Sequence, residues 1–307
     1  MFARKTSTTL LTAILVIAST ATIGGAQAPQ SSLVRPGVTE EELDSRLQQA
    51  RLLARQRNYK EALREYLFVF DNSREVSGYG GVRLSYVPIE IAEIGQKYRP
   101  AILALQERRN ASENKILAGK GEFIDIQELT SLNQYLDRPE RSIELYDKLK
   151  TKGVAFNEIK EDMLMLIWEQ LVDAERYSDL DDEINKIAKR VVSQIAESGI
   201  NNDFPSSEVS TSPMYQDYLR HSVIEDGGKV YQAYLALGRD EPAKKLEKWL
   251  LTFSSDGEMY AQLISAAIKA KRSSVANDLL NQAVRTLKKS KDLQLVREAA
   301  KGLSPDK

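Results

Sequence analysis

The chain has 307 residues, a formal net charge of −1 at pH 7, no cysteine and one histidine, His221. Without cysteine a Cys–His catalytic pair is excluded, a Ser–His–Asp triad would require His221, and ordinary zinc sites lack their ligands. The balanced charge also argues against nucleic acid as a partner through bulk electrostatics. We therefore predict no catalytic, cofactor-binding or metal-binding residues.

The N-terminal residues are typical of an export signal. A short basic start is followed by an apolar run from Leu10 to Ile23 and by small residues up to Ala26. The run is shorter than the roughly 20 residues that span a bilayer. We predict a signal peptide over 1–26, a flexible segment over 27–38, and a periplasmic or secreted mature chain without an integral membrane span. Retention of the run as an N-terminal anchor is the alternative.

From residue 39 onward the sequence has the periodicity of helices. Thr39 followed by Glu42 fits a capping box, and apolar residues then recur at three- and four-residue spacing up to Ala54. A polar turn at Asn58 precedes a second helix predicted over 59–70. The two helices are expected to form an antiparallel hairpin.

A polar turn, a small residue and a large apolar residue four positions later form a pattern that recurs along the chain. The pairs are Ala62 and Tyr66, Ser142 and Tyr146, Leu180 and Ile184, Ala243 and Glu247, and Ala276 and Leu280. Their first members are 80, 38, 63 and 33 positions apart, close to one or two lengths of a unit of about 34 residues. We expect the small residue to mark a close approach of two helices.

The recurring pattern resembles the tetratricopeptide repeat, a hairpin of two helices. Residues 55–72 and 234–256 carry the resemblance, and Gly238 lies where that family favours glycine. The third copy departs from the family because Leu180 replaces the small residue, and the fourth because Glu247 replaces the apolar one. The resemblance implies an all-α fold, a right-handed α-solenoid of stacked antiparallel hairpins with a groove for a peptide or protein segment. Related families of helical hairpins would give much the same pattern.

Two segments interrupt the recurring pattern. Residues 73–87 are rich in glycine and serine and predict a loop. Residues 201–213 are rich in Ser, Asn, Asp and Pro and predict an exposed loop. This second loop would divide an N-terminal helical-repeat region over 39–200 from a C-terminal one over 214–303.

Three short motifs invite a catalytic or ligand-binding interpretation. The glycines of 78–82 lack the lysine and the spacing of a phosphate loop. The acidic run over 179–183 lacks the mid-loop glycine of a calcium site and is typical of the first turn of a helix. Glu197 followed by Ser198 is similar to the catalytic motif of exported lytic transglycosylases, which cleave cell-wall glycan, but their downstream glycine-rich segment is missing.

The helix predicted over 213–224 is the best candidate for a protein-binding surface. Tyr215 and Tyr218 are expected on one face, with Arg220 and His221 nearby. Tyrosine offers a large contact area with a polar tip, which suits protein recognition. The alternative is that these tyrosines pack between hairpins.

The same alternative applies to the residues that follow. A helix break is predicted at Gly227 and Gly228, and Tyr231 and Tyr234 continue the aromatic content after it. Taken alone, His221 is expected to be a partly buried structural residue.

The sequence favours a non-enzymatic protein–protein interaction scaffold or adaptor of the bacterial cell envelope, which binds a peptide or protein segment in a solenoid groove. One alternative is a cell-wall glycan-cleaving enzyme that uses Glu197. The other is a structural subunit of an envelope complex. The partner and the oligomeric state stay open.

Overall fold

A computed structural model describes residues 37–197 and 213–303 of the chain. Within these ranges the fold is all-α, as predicted, and contains no strand. Thirteen α-helices are described: α1 (Glu40–Arg55), α2 (Tyr59–Asn72), α3 (Val87–Gly95), α4 (Arg99–Leu117), α5 (Phe123–Tyr135), α6 (Glu140–Lys150), α7 (Asn157–Asp173), α8 (Ile184–Glu197), α9 (Pro213–Ala236), α10 (Asp240–Phe253), α11 (Gly257–Lys269), α12 (Ser273–Thr286) and α13 (Ser290–Ala299). Across the described part of the chain, no helix combines the length and apolar character needed to cross a membrane.

Several expectations concern residues outside the described ranges. The predicted signal peptide over 1–26, nearly all of the segment over 27–38, and the loop predicted over 201–213, apart from Pro213, lie there. They stay predictions.

The first hairpin begins as its sequence predicts, and its second helix is two residues longer than expected. The backbone N–H of Glu42 donates to Thr39 Oγ1 at 3.2 Å, which caps α1. Helix α2 begins at Tyr59, as predicted, and ends at Asn72.

Helices adjacent in sequence pack together along most of the chain, as in α1–α2, α3–α4, α5–α6, α9–α10 and α11–α12. A second set of contacts joins the odd-numbered helices: α3 packs on α5, α5 on α7, α7 on α9, α9 on α11, and α11 on α13. These odd-numbered helices therefore form one continuous layer, here called the odd-helix layer.

The five turns that precede the copies of the recurring sequence pattern share one backbone geometry. The residues Arg57, Asp137, Glu175, Gly238 and Lys271 have φ of 63°, 56°, 55°, 70° and 61°. In each turn the next N–H donates to a carbonyl five residues earlier, as from Asn58 to Leu53 and from Arg272 to Ala267, both at 2.9 Å. This is the Schellman arrangement that ends helices.

The recurring sequence pattern coincides with these turns. The first residue of each pair lies five positions after a positive-φ residue. These first residues are at most 1% exposed: Ala62, Ser142, Leu180, Ala243 and Ala276. Burial of this position is therefore common to the whole set, while a close approach of two helices there stays a prediction.

Arginines that follow the positive-φ residue tie three turns to the preceding hairpin. Arg176 lies 2.6 Å from Asp147, Arg239 lies 2.6 Å from Asp181, and Arg272 lies 2.7 Å from Asp240, measured between guanidinium nitrogen and carboxylate oxygen. We call these pairs the turn arginine ladder.

The third copy of the pattern differs from the others. A 3₁₀ segment over Tyr177–Leu180 follows its turn, and α8 begins only at Ile184. The prediction that the acidic run over 179–183 lies in the first turn of an α-helix is therefore wrong. A buried leucine at the first position of the pair and the ion pair between Asp179 and Lys150, at 2.7 Å, accompany this tighter winding.

The prediction of a loop over 73–87 is also wrong for its second half. A π-helical segment, Val82–Tyr86, leads directly into α3. Two side chains anchor this region: Tyr79 is 4% exposed and donates to Asp44 Oδ1, and Arg83 is 5% exposed and pairs with Glu128 at 2.6 Å. These partners come from distant helices, so the local glycine content did not reveal them.

The predicted helix break at Gly227 and Gly228 is wrong, because α9 runs without interruption from Pro213 to Ala236. A Cβ atom at Gly227 would lie 2.5 Å from Leu250 Cδ2, and one at Gly228 would lie 2.4 Å from Gln262 Nε2. The glycines are therefore explained by the close approach of α10 and α11, not by a turn.

Two clusters of buried apolar side chains run through the fold. One extends from Leu43 to Leu105 and includes Leu132, and the other extends from Ile116 to Val296. The second cluster includes residues on both sides of the loop predicted over 201–213. Division of the chain into two repeat regions at that loop stays a prediction.

Candidate functional site

A groove with a cavity volume of about 540 Å³ lies on the odd-helix layer, between α7, α9, α11 and α13. We call it the odd-helix groove. Its titratable lining consists of three carboxylates, two amines and one imidazole: Asp173, Glu225, Glu258, Lys229, Lys269 and His221. Leu295 adds an apolar side chain that is 41% exposed. The groove is therefore polar and shallow, with an isolated apolar contact.

Helix α9 brings two of the four predicted binding residues to solvent beside this groove. Tyr218 is 69% exposed, and the side chain of His221 is 56% exposed and lines the groove. The expectation that His221 is partly buried is wrong, since its ring lies at the groove surface with Nδ1 2.7 Å from the carbonyl oxygen of Asp217. The side chain of Tyr215 lies outside the described residues.

Arg220 is engaged by the next odd-numbered helix. Its guanidinium lies 2.7 Å from Asp256 and 2.7 Å from Glu258. Although burial lowers the pKa of Arg220, the hydrogen bonds that its guanidinium donates to these carboxylates raise the pKa overall. Asp256 in turn caps α11 by accepting the N–H groups of Glu258 and Met259. Arg220 thus fixes α9 against α11 and is less available to a partner than Tyr218 or His221.

Lys229 lies inside the groove and is shared by several carboxylates. Its Nζ is 2.9 Å from Glu169, 3.2 Å from Asp173 and 3.9 Å from Glu225, and its side chain is 16% exposed. Burial alone would lower the pKa of Lys229, but the hydrogen bond and charge of Glu169 together with Asp173 raise it. At this end of the groove, one amine is therefore surrounded by three carboxylates.

Asp226, near Glu169, lines a separate cavity between α7, α8 and α9 and not the odd-helix groove. Burial and the nearby charge of Glu169 raise the pKa of Asp226, and a hydrogen bond from Ser222 opposes this rise. Around Lys229, the carboxylates within ion-pair distance thus outnumber the single amine.

Comparisons of the chain with protein-family models, with curated proteins and with solved structures find no match.

The two later tyrosines of α9 pack in the interior, as the alternative interpretation predicted. Tyr231 is 1% exposed and Tyr234 is 4% exposed. The hydroxyl of Tyr231 donates to Glu247 at 2.6 Å, and burial, reinforced by this carboxylate, raises the pKa of Tyr231. Glu247 occupies a position that is apolar in the other copies of the pattern, and its hydrogen bond with Tyr231 on the neighbouring helix explains this difference.

The catalytic alternative is not tested by the described residues, because the side chain of Glu197 and all of Ser198 lie outside them. Among the residues that are described, no group of three or more acidic or histidine side chains is arranged to hold a metal ion.

Sequence reasoning missed Lys229 and its carboxylates. A local signal was present, since Glu169 with Asp173 and Glu225 with Lys229 are each four residues apart and share a helix face. The meeting of these two faces depends on how α7 packs against α9, which the sequence does not specify.

Proposed function

We propose that the chain is a non-enzymatic interaction scaffold that binds a peptide or protein segment in the odd-helix groove. The observation that supports this most directly is the groove itself, which four helices of one layer line with exposed charged, polar and apolar side chains. Binding surfaces of helical repeat proteins are built in this way, from the same face of successive units.

The finer architecture belongs to the same proposal. The contacts between successive odd-numbered helices and the five turns of one geometry support a right-handed solenoid of tetratricopeptide-like hairpins. In such a solenoid the odd-helix layer would be the inner surface. The bacterial envelope as location is proposed from the sequence over 1–26.

The charges of the groove indicate the kind of segment that it binds. Glu225 is 66% exposed, Glu258 is 44% exposed, and Asp173 is 57% exposed, all measured on the side chain. A lysine or arginine of the partner would replace water around these groups without burying an unpaired carboxylate. Leu295 and Tyr218 would contact an apolar neighbour of that basic residue.

A photo-reactive amino acid placed in the groove tests the proposal. Substitution at Gln262 or Ser265, both in the groove lining of α11, should give a discrete cross-linked product in cells that express the full chain. The same substitution at Lys248, exposed on α10, is the control and should not give that product. Equal labelling from both faces would refute a specific groove.

Charge reversal distinguishes specific binding in the groove from nonspecific binding. Glu225→Lys should reduce cross-linking from Gln262, whereas Glu75→Lys, at an exposed position outside the groove, should leave it unchanged. Partner release at high salt would support a reversible adaptor, because exposed ion pairs are screened. Cross-linking that persists when irradiation follows transfer to high salt would instead favour a permanent structural subunit.

A further inference from the structure

One buried arginine in the N-terminal half of the fold lacks a carboxylate partner. Arg109 on α4 is 5% exposed. Its Nε donates to Asn110 Oδ1 at 2.8 Å, and its Nη1 donates to Asn133 Oδ1 at 3.2 Å. Both acceptors are neutral amides, and no acidic side chain in the described ranges forms an ion pair with Arg109.

Its neighbours show what the fold normally provides for a buried guanidinium. Arg108, one position earlier, is 8% exposed and lies 2.5 Å from Asp71. Arg83 is 5% exposed and lies 2.6 Å from Glu128. Burying a cation without a counter-ion is costly. Arg109 is therefore an exception among three buried arginines of the same region.

The electrostatic surroundings of Arg109 also disfavour the charged form of its guanidinium. Burial and the positive charge of Arg141 lower the pKa of Arg109, and the charge of Glu113 only partly opposes them. Glu113 itself is engaged by Arg141 at 3.2 Å and by Lys148 at 3.0 Å. An external anion near Arg109 would relieve this imbalance.

Arg109 borders a surface cavity of about 370 Å³ between α4, the turn after α5, and α6, here called the Arg109 pocket. Arg138 and Arg141 also line it, as do Glu140 and Glu144. No residue in the described ranges accepts a hydrogen bond from Arg109 Nη2. The pocket thus offers an unused donor on a fixed guanidinium, with two further arginines at its border.

We propose that the Arg109 pocket binds a carboxylate, with Arg109 Nη2 donating to it and Arg141 contributing a second guanidinium. The lining carries three cationic and two acidic side chains, so its net charge of about +1 neutralises a bound monoanion, whereas a phosphate dianion would keep a desolvated negative charge without a counter-charge. The planar fork of arginine matches a carboxylate group in geometry. The ligand would be a small organic acid or the carboxylate of a peptide. This site lies on α4 and α6 and is independent of the odd-helix groove.

Side-chain NMR of the full chain, labelled with ¹⁵N-arginine, tests the proposal. Acetate, N-acetylglycine and inorganic phosphate would be titrated at constant ionic strength while the Nε–H signals are followed. A saturable shift of the Arg109 signal with the two carboxylates is expected. Tighter binding of N-acetylglycine than of acetate would indicate a peptide source, and equal binding would indicate a small acid. Tighter binding of phosphate than of either carboxylate would overturn the choice of ligand.

Two variants separate the site from unspecific charge effects. Arg109→Lys keeps the charge but loses the fork, and it should weaken binding about tenfold, since hydrogen bonds to charged groups are strong. Binding to this variant would be followed by isothermal titration calorimetry. Glu144→Gln, at an exposed position, should tighten binding by removing a nearby negative charge.

The same variants define the outcomes that overturn the proposal. A linear, non-saturable response in the wild-type chain would do so, as would equal affinity in Arg109→Lys. If Glu144 were instead the counter-ion of Arg109 in solution, Glu144→Gln would lower the thermal midpoint without tightening binding. A circular dichroism spectrum unchanged from wild type would show that each variant still folds.

Discussion

The adjacent glycines of α9 provide a matched pair of substitutions with different expected effects on stability. Alanine in place of a mid-helix glycine gains about 1 kcal/mol from helix propensity alone. At Gly227 the added Cβ would lie 2.5 Å from Cδ2 and 3.2 Å from Cδ1 of Leu250, which is fully buried. Overpacking of this kind costs about 1–3 kcal/mol. Gly227→Ala should therefore lower the free energy of unfolding by about 1 kcal/mol, after the propensity gain is subtracted.

Gly228→Ala is expected to cost less, because its neighbour Gln262 is partly exposed whereas Leu250 is fully buried. The nearest atom to its added Cβ is Gln262 Nε2, at 2.4 Å. Gln262 Cγ lies almost as close, at 2.5 Å, so the whole side chain must turn about χ1, which a flexible, partly exposed glutamine can do. This rearrangement should offset part of the propensity gain of about 1 kcal/mol, so Gly228→Ala should be near neutral. The displaced amide of Gln262 would also alter the lining of the odd-helix groove.

Urea unfolding followed by circular dichroism measures both effects. Combining Gly227→Ala with Leu250→Ala tests the cause, because the smaller side chain removes the clash. The double variant should be more stable than the sum of the single changes predicts, by about 0.5 kcal/mol or more. A stabilising Gly227→Ala, or strict additivity with Leu250→Ala, would refute the packing explanation.

Three further predictions concern side chains elsewhere in the fold. Burial favours the protonated form of Asp125, but bonds from Arg74, the Glu122 backbone and Lys115 hold its pKa at about 2, below the ordinary 3.8. This depressed pKa should contribute about 2 kcal/mol that is present above about pH 4 and lost as the pH falls to about 2. Asp125→Asn should flatten the acid limb of a stability–pH curve, and an unchanged limb would contradict it. Tyr231→Phe leaves Glu247 without its donor and should cost about 1–3 kcal/mol in urea unfolding; a loss below about 0.5 kcal/mol would show that water replaces the bond. Arg176→Gln should cost about 1 kcal/mol or less and lose its effect in 1 M salt, because its ion pair with Asp147 is partly exposed; a salt-independent loss would indicate packing instead.

Features set by nearby residues were predicted well from the sequence. The five buried positions from Ala62 to Ala276 follow their turns at a constant distance, so a local pattern was enough to find them. Helix α2 was found for the same reason, since its start follows an obvious polar turn. The coarse prediction of an all-α fold rests on these short-range regularities.

Features set by distant residues were missed. The glycine pair of α9 was taken for a break because its cause lies on α10 and α11. Arg83 was predicted to lie in a loop, although its guanidinium pairs with Glu128, which lies 45 positions further along the chain. At the candidate site, exposure of Tyr218 and engagement of Arg220 by α11 likewise depend on which helices become neighbours. The sequence did not indicate a site at Arg109, because the lack of a carboxylate partner can be recognised only in the three-dimensional structure.

The turn arginine ladder bears on how the fold would respond to a pulling force. Each of its arginines is bonded to the preceding hairpin, as Arg272 is to Asp240. Tension applied along the odd-helix layer would therefore load these links in series, and the weakest link would give way first. In the proposed solenoid, extension should then proceed in steps of about one hairpin each, with a shallow force plateau, because units that contact only their neighbours come apart one at a time.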